Sequence, residues 1–405
     1  MTGQTTIPFN RTAAEGRELE YLRESIEGGH SSSFGPFSKR VGSILKEETG
    51  ADVLLTTSCT SALELSAMLL DLGPEDTVVV PSFTFTTSAL AFARQGARIL
   101  FCDIEPDTLG LDPKHLAELL DDTVKAVVIV HYAGIACDVD GIRSVLAHRP
   151  DVALVEDAAH GLFGRWRGEP LGSLGRFASL SFHETKNFVC GEGGALLLND
   201  PADLAPARIH YDKGTDRQAF FLGQVDKYSW RDTGSSFGLS DTLAAYLLAQ
   251  LEQRESIQAR RRHVFEGYLE GLRGEAAELG YRLPVIPDDC DPAYHLFYVL
   301  MPDHATRTRV MELMREDGIQ TTFHYVPLHD SDGGRRFSAR PVECPVTSDV
   351  SGRLVRLPFF NNLSDDELGR VVDSFLRATR SATGGTQTPH SSDRSAPLRT
   401  GTPNG

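Results

Sequence analysis

Short runs of adjacent apolar residues recur along the first half of the chain, each bounded by polar or turn residues. They are TVVVP (77–81), ARILFCD (97–103), KAVVIVH (125–131), VALVED (152–157), ASLSF (178–182) and GALLL (194–198). Several are continuous rather than alternating, which is the pattern of strands covered on both faces of a mainly parallel sheet. Between the earlier runs the apolar positions follow a helical period, in SALELSAMLLDL (61–72), TSALAFARQG (87–96), PKHLAELLDD (113–122) and VDGIRSVLAHR (139–149). The alternation predicts βαβ units.

The texture then changes. Residues 239–272 are amphipathic and almost free of breakers, which predicts one or two long helices. Strand-like AYHLFYVLM (293–301) and TTFHYVP (321–327) follow, separated by a helix-like TRTRVMELMREDG (306–318). The expected organisation is an N-terminal segment at 1–24, a large α/β domain at 25–250 and a smaller α+β domain at 251–380. The stretch 381–405 is rich in Gly, Ser, Thr and Pro with almost no large apolar residue, so a disordered tail is expected there.

The length of 405 residues accommodates two domains. A formal net charge of −16 argues against nucleic-acid binding, which needs a basic surface, but leaves room for a local basic pocket facing a phosphorylated small molecule. The six cysteines are scattered without a CxxC pair, so no metal site and a reducing compartment are expected. No long apolar run marks a signal peptide or membrane span, and a cytoplasmic location is the expectation.

Ligands of open α/β sheets gather at the carboxyl ends of the strands. Three runs end in polar groups: VALVE at Asp157 with His160 close behind, ASLSF at His183, Glu184 and Lys186, and KAVVIV at His131. TTSCTSALEL (56–65) places hydroxyls before an apolar helix, a setting that suits a phosphate. Taken singly, Ser58, Thr60 and Ser61 read as helix caps, Asp157 as a cap or an arginine partner, and Lys186 as a solvated loop lysine. Together, a phosphate cradle, a strand-end aspartate and a strand-end lysine meet the needs of pyridoxal 5'-phosphate (PLP). The lysine bonds the cofactor, the aspartate keeps its ring nitrogen protonated, and the helix end holds its phosphate.

The motifs IPFN (7–10), TSCTSALE (57–64), PSFTF (81–85), HYAG (131–134), EDAAH (156–160), SFHETKN (181–187), GEGGA (191–195) and HYVPLH (324–329) together resemble the DegT/DnrJ/EryC1/StrS family of sugar-nucleotide aminotransferases. The resemblance runs from residue 7 to about 377. It implies the aspartate-aminotransferase type of PLP-dependent fold (fold type I), with a large, mostly parallel α/β domain and a smaller α+β one. FHETKN and the run 213–236 are most similar to the branch that aminates dTDP-4-keto-6-deoxyglucose at C4, typified by dTDP-4-amino-4,6-dideoxygalactose transaminases. By that resemblance Lys186 bonds the cofactor and shuttles the proton, Asp157 pairs with the ring nitrogen, and Phe85 stacks on the ring. Cys59, Thr60, Ser61 and Ser181 hold the phosphate, and His160 lies near the ring's 3-oxygen. Ser236, by that resemblance a cofactor-binding residue, and Gly238 stand where many family members carry the Asn and Arg of a GxNxR stretch that reaches the partner's site. His183, Glu184, Lys213, Lys227, Tyr228, Trp230 and His324 are candidate substrate contacts, because polar and aromatic groups suit a nucleotide diphosphate and a sugar ring.

The implied reaction takes the amino group of L-glutamate, releases 2-oxoglutarate, and places the amine on sugar C4, with pyridoxamine phosphate between the two halves. The product is a gluco- or galacto-configured 4-amino-4,6-dideoxyhexose, for a secondary metabolite or a surface polysaccharide. A homodimer with a shared site is implied as well. The rival readings are a C3 aminotransferase acting on a related dTDP- or UDP-keto-sugar, and a non-catalytic PLP-binding regulatory protein.

Overall fold

The computed structural model describes residues 6–384. Its centre is a seven-stranded sheet. The strands are β1 (Asp52–Thr56), β2 (Thr77–Pro81), β3 (Arg98–Cys102), β4 (Val124–Val130), β5 (Ala153–Asp157), β6 (Phe177–Ser181) and β7 (Gly194–Leu198). Their order across the sheet is β1-β7-β6-β5-β4-β2-β3. β7 runs antiparallel to both its neighbours, β1 and β6, and the remaining pairs are parallel.

Both faces are covered, as the continuous apolar runs require. Val79, Leu100, Val127 and Ile129 enter one apolar cluster, whereas Val78, Val80, Ile99, Phe101, Ala126 and Val128 enter another on the opposite face. The alternation is the two-residue period of a strand acting on sequences that are apolar at every position. β1 was outside the sequence expectation, because Asp52 and a half-buried Val53 open it and only Leu54, Leu55 and Thr56 are buried.

The long amphipathic segment divides into helices Asp241–Glu252 and Arg254–Arg273, broken at Gln253, whose backbone is non-helical. The second helix straddles two cores. Ile257 packs with Leu180, Leu197 and Leu248 beside the large sheet, while Val264, Phe265, Tyr268 and Leu272 pack in the C-terminal cluster with Phe297, Val371 and Phe375. The expected border at 250/251 cuts helix Asp241–Glu252 in its last turn, ahead of the helix that joins the two cores. The border at 24/25 cuts helix Glu18–Glu27, whose Tyr21 packs beside the large sheet.

Two strand expectations are corrected. Of residues 293–301 only β8 (Tyr298–Leu300) is a strand, paired antiparallel with β9 (Leu354–Arg356). Residues 321–327 form no strand. Pairing stops after a single bridge between Thr322 and Arg356, beyond which His324 and Tyr325 line a cleft and Pro327 has no N–H to donate. Helix Asp365–Ala382 also runs past residue 381, the expected start of the tail, held by a capping box of Ser364 and Glu367. The rest of that expected tail, from 385 on, lies outside the described residues. No helix among the described residues is long and apolar enough to cross a membrane.

The candidate active site

β6 and β7 are joined by a hairpin loop that projects from the carboxyl end of β6, and Lys186 sits in it. The loop is pinned at its base by Phe182 N–H to the Gly193 carbonyl (2.8 Å) and Glu184 N–H to the Gly191 carbonyl (3.0 Å). The glycine cluster has two reasons. Gly191 has φ +89°, which a side chain would strain. At Gly194 a Cβ would come within 2.4 Å of the Cys59 nitrogen, so only glycine lets β7 pass against the start of helix Cys59–Leu69. That helix start is capped by Ser58, whose hydroxyl accepts from the Ser61 N–H at 3.1 Å.

Asp157 ends β5, the neighbour of β6. Its carboxylate accepts the Ser88 hydroxyl at 2.6 Å and the Ala159 N–H at 3.2 Å, and the Cys59 thiol lies 4.0 Å away. Ser88 is itself held by Thr84 at 2.8 Å. Glu156, one residue earlier, faces the other way. It accepts N–H groups from Gly172, Leu174 and Gly175 and pairs with His131 at 3.0 Å, both side chains of that pair being fully buried. Of the two carboxylates, one anchors the strand end and the other faces the cleft.

The cleft has a volume of about 480 Å³. Lys186, Asp157, Cys59, Thr60, Phe85, His160, Ser181, His183 and His324 all line it, brought together from separate segments of the chain. Burial lowers the Lys186 pKa to about 8, against the opposing pull of Cys59 and Asp157 and with the help of Arg356. His160 stacks on His295 with ring centroids 4.0 Å apart, and burial pushes both well below the ordinary imidazole value. His160 Nδ1 is buried without a protein partner. The backbone just after Lys186 is held by Asn187. Its amide donates to the Ala293 carbonyl at 2.7 Å, and its oxygen lies 2.8 Å from His295 Nδ1.

The other predicted residues lie elsewhere. Ser61 lies in the first turn of helix Cys59–Leu69, where its hydroxyl bonds those of Thr57 and Ser58, and it does not line the cleft. Glu184 is exposed beside the cleft, where its carbonyl accepts from Asn10. Lys213 pairs with Asp212 at 3.0 Å, and Ser236 is exposed and bridged to Asp212. Lys227 is exposed, as are Tyr228 and Trp230, the last to 82%. Within one chain these residues make no contribution to the cleft wall.

Sequence reasoning missed Ser88, His295, Tyr325 and above all Arg356. Arg356 reaches the cleft from β9. Among the described residues it has no carboxylate partner. One guanidinium nitrogen lies 2.5 Å from His324 Nε2, its Nε is buried and unpartnered, and its cation sits 4.6 Å from the Phe9 ring centre. Since Arg356 can only donate, His324 Nε2 accepts, and Nδ1–H then donates to the Tyr132 hydroxyl at 3.2 Å. Burial and this cation push His324 down to about 2, so it is neutral at physiological pH. VRLPFF carries no sign of this role, because a single arginine ending a strand looks like any solvated one.

The whole arrangement can be set against known proteins. The family model described as the DegT/DnrJ/EryC1/StrS aminotransferase family matches residues 13–376. The chain belongs to that family. This aminotransferase is 28% identical over 378 residues to the spore coat polysaccharide biosynthesis protein SpsC of Bacillus subtilis (strain 168), a match covering 91% of this chain and 96% of SpsC. The solved aminotransferase TlmJ from Streptoalloteichus hindustanus is 30% identical with a TM-score of 0.84, covering 94% of this chain and 99% of TlmJ. The protein Spr1654 from Streptococcus pneumoniae, solved in its PLP form, shares the fold at 23% identity and a TM-score of 0.85, over 93% of this chain and all of the other. The enzyme is a PLP-dependent aminotransferase.

The residues present fit that cofactor. Asp157 offers a fixed carboxylate to a ring nitrogen, the orphaned His160 Nδ1 has a hydrogen bond left to make, and the start of helix Cys59–Leu69 with Ser181 presents N–H and O–H groups to a phosphate. PLP, when bound, supplies an electron sink that lets the C–H bond beside an attached amine break.

Proposed function

We propose that this enzyme transfers the amino group of L-glutamate to C4 of dTDP-4-keto-6-deoxyglucose, with Lys186 as the cofactor-bonding lysine and proton carrier. The observation that carries the reading is the delivery of Lys186 and Asp157 by adjacent strands into one cleft, with the Lys186 pKa lowered to about 8. A lysine of ordinary pKa would be a poor base near neutrality, whereas this one is partly neutral and can take a proton. Asp157, fixed by Ser88 and Ala159, sets the charge at the cofactor's ring nitrogen. Phe85, 58% exposed, leaves a ring face free to stack. The C4 and dTDP preference is supported by the likeness of FHETKN and of residues 213–236 to that branch. The same likeness supports a homodimer in which the exposed 213–236 segment, with Tyr228 and Trp230, meets the partner's cleft.

Arg356 is assigned the carboxylate of the amino donor. An uncompensated buried cation is costly, and an anionic ligand that pairs with it regains that cost. Arg356→Gln is expected to raise KM for L-glutamate by about 10- to 100-fold, the effect of losing a charge-assisted hydrogen bond, with a much smaller change in KM for the keto-sugar. Equal changes in the two KM values, or none, would remove Arg356 from this role.

The reading is tested by proton NMR of the product formed from dTDP-4-keto-6-deoxyglucose, L-glutamate, PLP and enzyme. An amine at C4 is expected. Large couplings from H4 to H3 and H5 mean an equatorial amine and a gluco product, and small ones an axial amine and a galacto product. An amine at C3, or no amino sugar from enzyme that carries PLP, would overturn the assignment.

A further inference from the structure

Beside the cleft lies a second cavity of about 640 Å³. One wall is helix His304–Glu316, which presents Arg307, Met311 and Arg315 at four-residue spacing. The adjacent stripe of the helix, one residue back, buries Thr306, Val310 and Met314. The other wall holds Phe9, Gln320 and Phe323. The Arg307 guanidinium stands 5.4 Å from the centre of the Phe323 ring, which is 47% exposed.

Two features of this cavity point to a ligand. The chain carries a net charge of −16, yet two arginines line the wall and neither has a carboxylate within ion-pair distance among the described residues. Arg307 Nε is moreover buried without a hydrogen-bond partner. Glu312, the one carboxylate on the lining, is taken up by Arg309 at 3.2 Å. Meanwhile Met311, Phe9 and Phe323 form an apolar middle. Gln320 Oε1 accepts the Phe9 N–H at 3.2 Å, which leaves the Gln320 amide N–H groups to donate elsewhere. Cations beside aromatic rings and a free amide match a ligand with a polyanionic end and a flat heterocyclic end.

The cavity adjoins the catalytic cleft. Phe9 lines both, and residues 322–324 pass from one to the other. We infer that this cavity binds the nucleoside diphosphate of the substrate, with Arg307 and Arg315 on the phosphates and Phe9, Phe323 and Gln320 around the base. The inference builds on the nucleotide-sugar reading above and names where the nucleotide goes. A keto-sugar placed over Lys186 then has its diphosphate pass Phe9.

The test is a calorimetric titration of the PLP-loaded enzyme with dTDP. The double variant Arg307→Ala/Arg315→Ala is expected to raise the dTDP Kd by about 10- to 100-fold. KM for the dTDP-keto-sugar should rise by a similar factor, with KM for L-glutamate as the internal reference. Glu312→Gln removes a carboxylate from the lining and is expected to tighten dTDP by about 2- to 5-fold, a change of opposite sign that damage to the fold does not produce. Should the double variant fail to fold, Arg315→Ala, at an exposed position, carries the test with a loss of about tenfold. An unchanged Kd in the arginine variants of an enzyme that does aminate the dTDP-keto-sugar overturns this site and leaves the function standing. A parent enzyme that binds dTDP through these arginines but aminates no nucleotide-linked keto-sugar confirms the site and overturns the function.

Discussion

Lys186→Ala is expected to reduce turnover by at least about 10²–10⁴-fold, the contribution of a positioned acid–base group, and to remove the covalent bond to the cofactor as well. Purified enzyme should be yellow and bleach with L-glutamate; after borohydride reduction and denaturing gel filtration the parent should keep the near-ultraviolet absorbance of a covalently attached, reduced cofactor, and the variant should lose it. A pH dependence accompanies this. With the Lys186 pKa near 8 rather than the ordinary 10.5, the neutral, nucleophilic amine fills in as pH rises through 8. The rate at which the PLP-free protein takes up PLP should therefore climb with a midpoint near pH 8 and level off above it. Turnover retained in Lys186→Ala, or an uptake profile still climbing near pH 10, would sink the assignment of Lys186.

Asp157→Asn should lower kcat by about 10²–10³-fold, the scale seen when one preorganised electrostatic group is removed. The amide is nearly isosteric, so the Ser88 hydroxyl, 2.6 Å from the native carboxylate, can still find an acceptor and the pocket keeps its shape. What disappears is the negative charge that holds a proton on the ring nitrogen. KM for L-glutamate is expected to stay within a few fold, since its carboxylate is assigned to Arg356 on the small sheet. A variant with PLP bound and kcat within about threefold of the parent would show that the ring nitrogen is served by another group.

The sheet was legible because its inner strands are apolar at every position and β-branched. That pattern has few other solutions in a chain with helical segments between the runs. The cleft-lining residues of these segments were legible because strand ends and a helix start are short-range features: VALVED, ASLSF and TTSCTSALEL each carry their own chemistry. Arg356 and His295 were not, since each is brought to the cleft from more than 100 residues beyond Lys186. Residues 321–327 misled for a related reason. Their β-branched and aromatic content fits a strand, but His324 and Tyr325 are spent on the cleft. Ser236, Lys227, Tyr228 and Trp230 lie outside the cleft of a single chain, so any role they have there depends on a second one.

Tyr298 and Leu300 of β8 and Leu354 of β9 enter the same apolar cluster as Val79, Leu100 and Val127 of the large sheet, and helix Arg254–Arg273 is rooted in both cores. Inheritance of substrate preference is constrained by that shared seam. A recombination that exchanged residues 251–380 for those of a relative would import a new Arg356 neighbourhood and a new arginine-lined cavity together. It would also import mismatched partners for three large-sheet strands. Point substitutions on the walls of the cleft and of the arginine-lined cavity therefore disturb this architecture far less than exchange of the whole module.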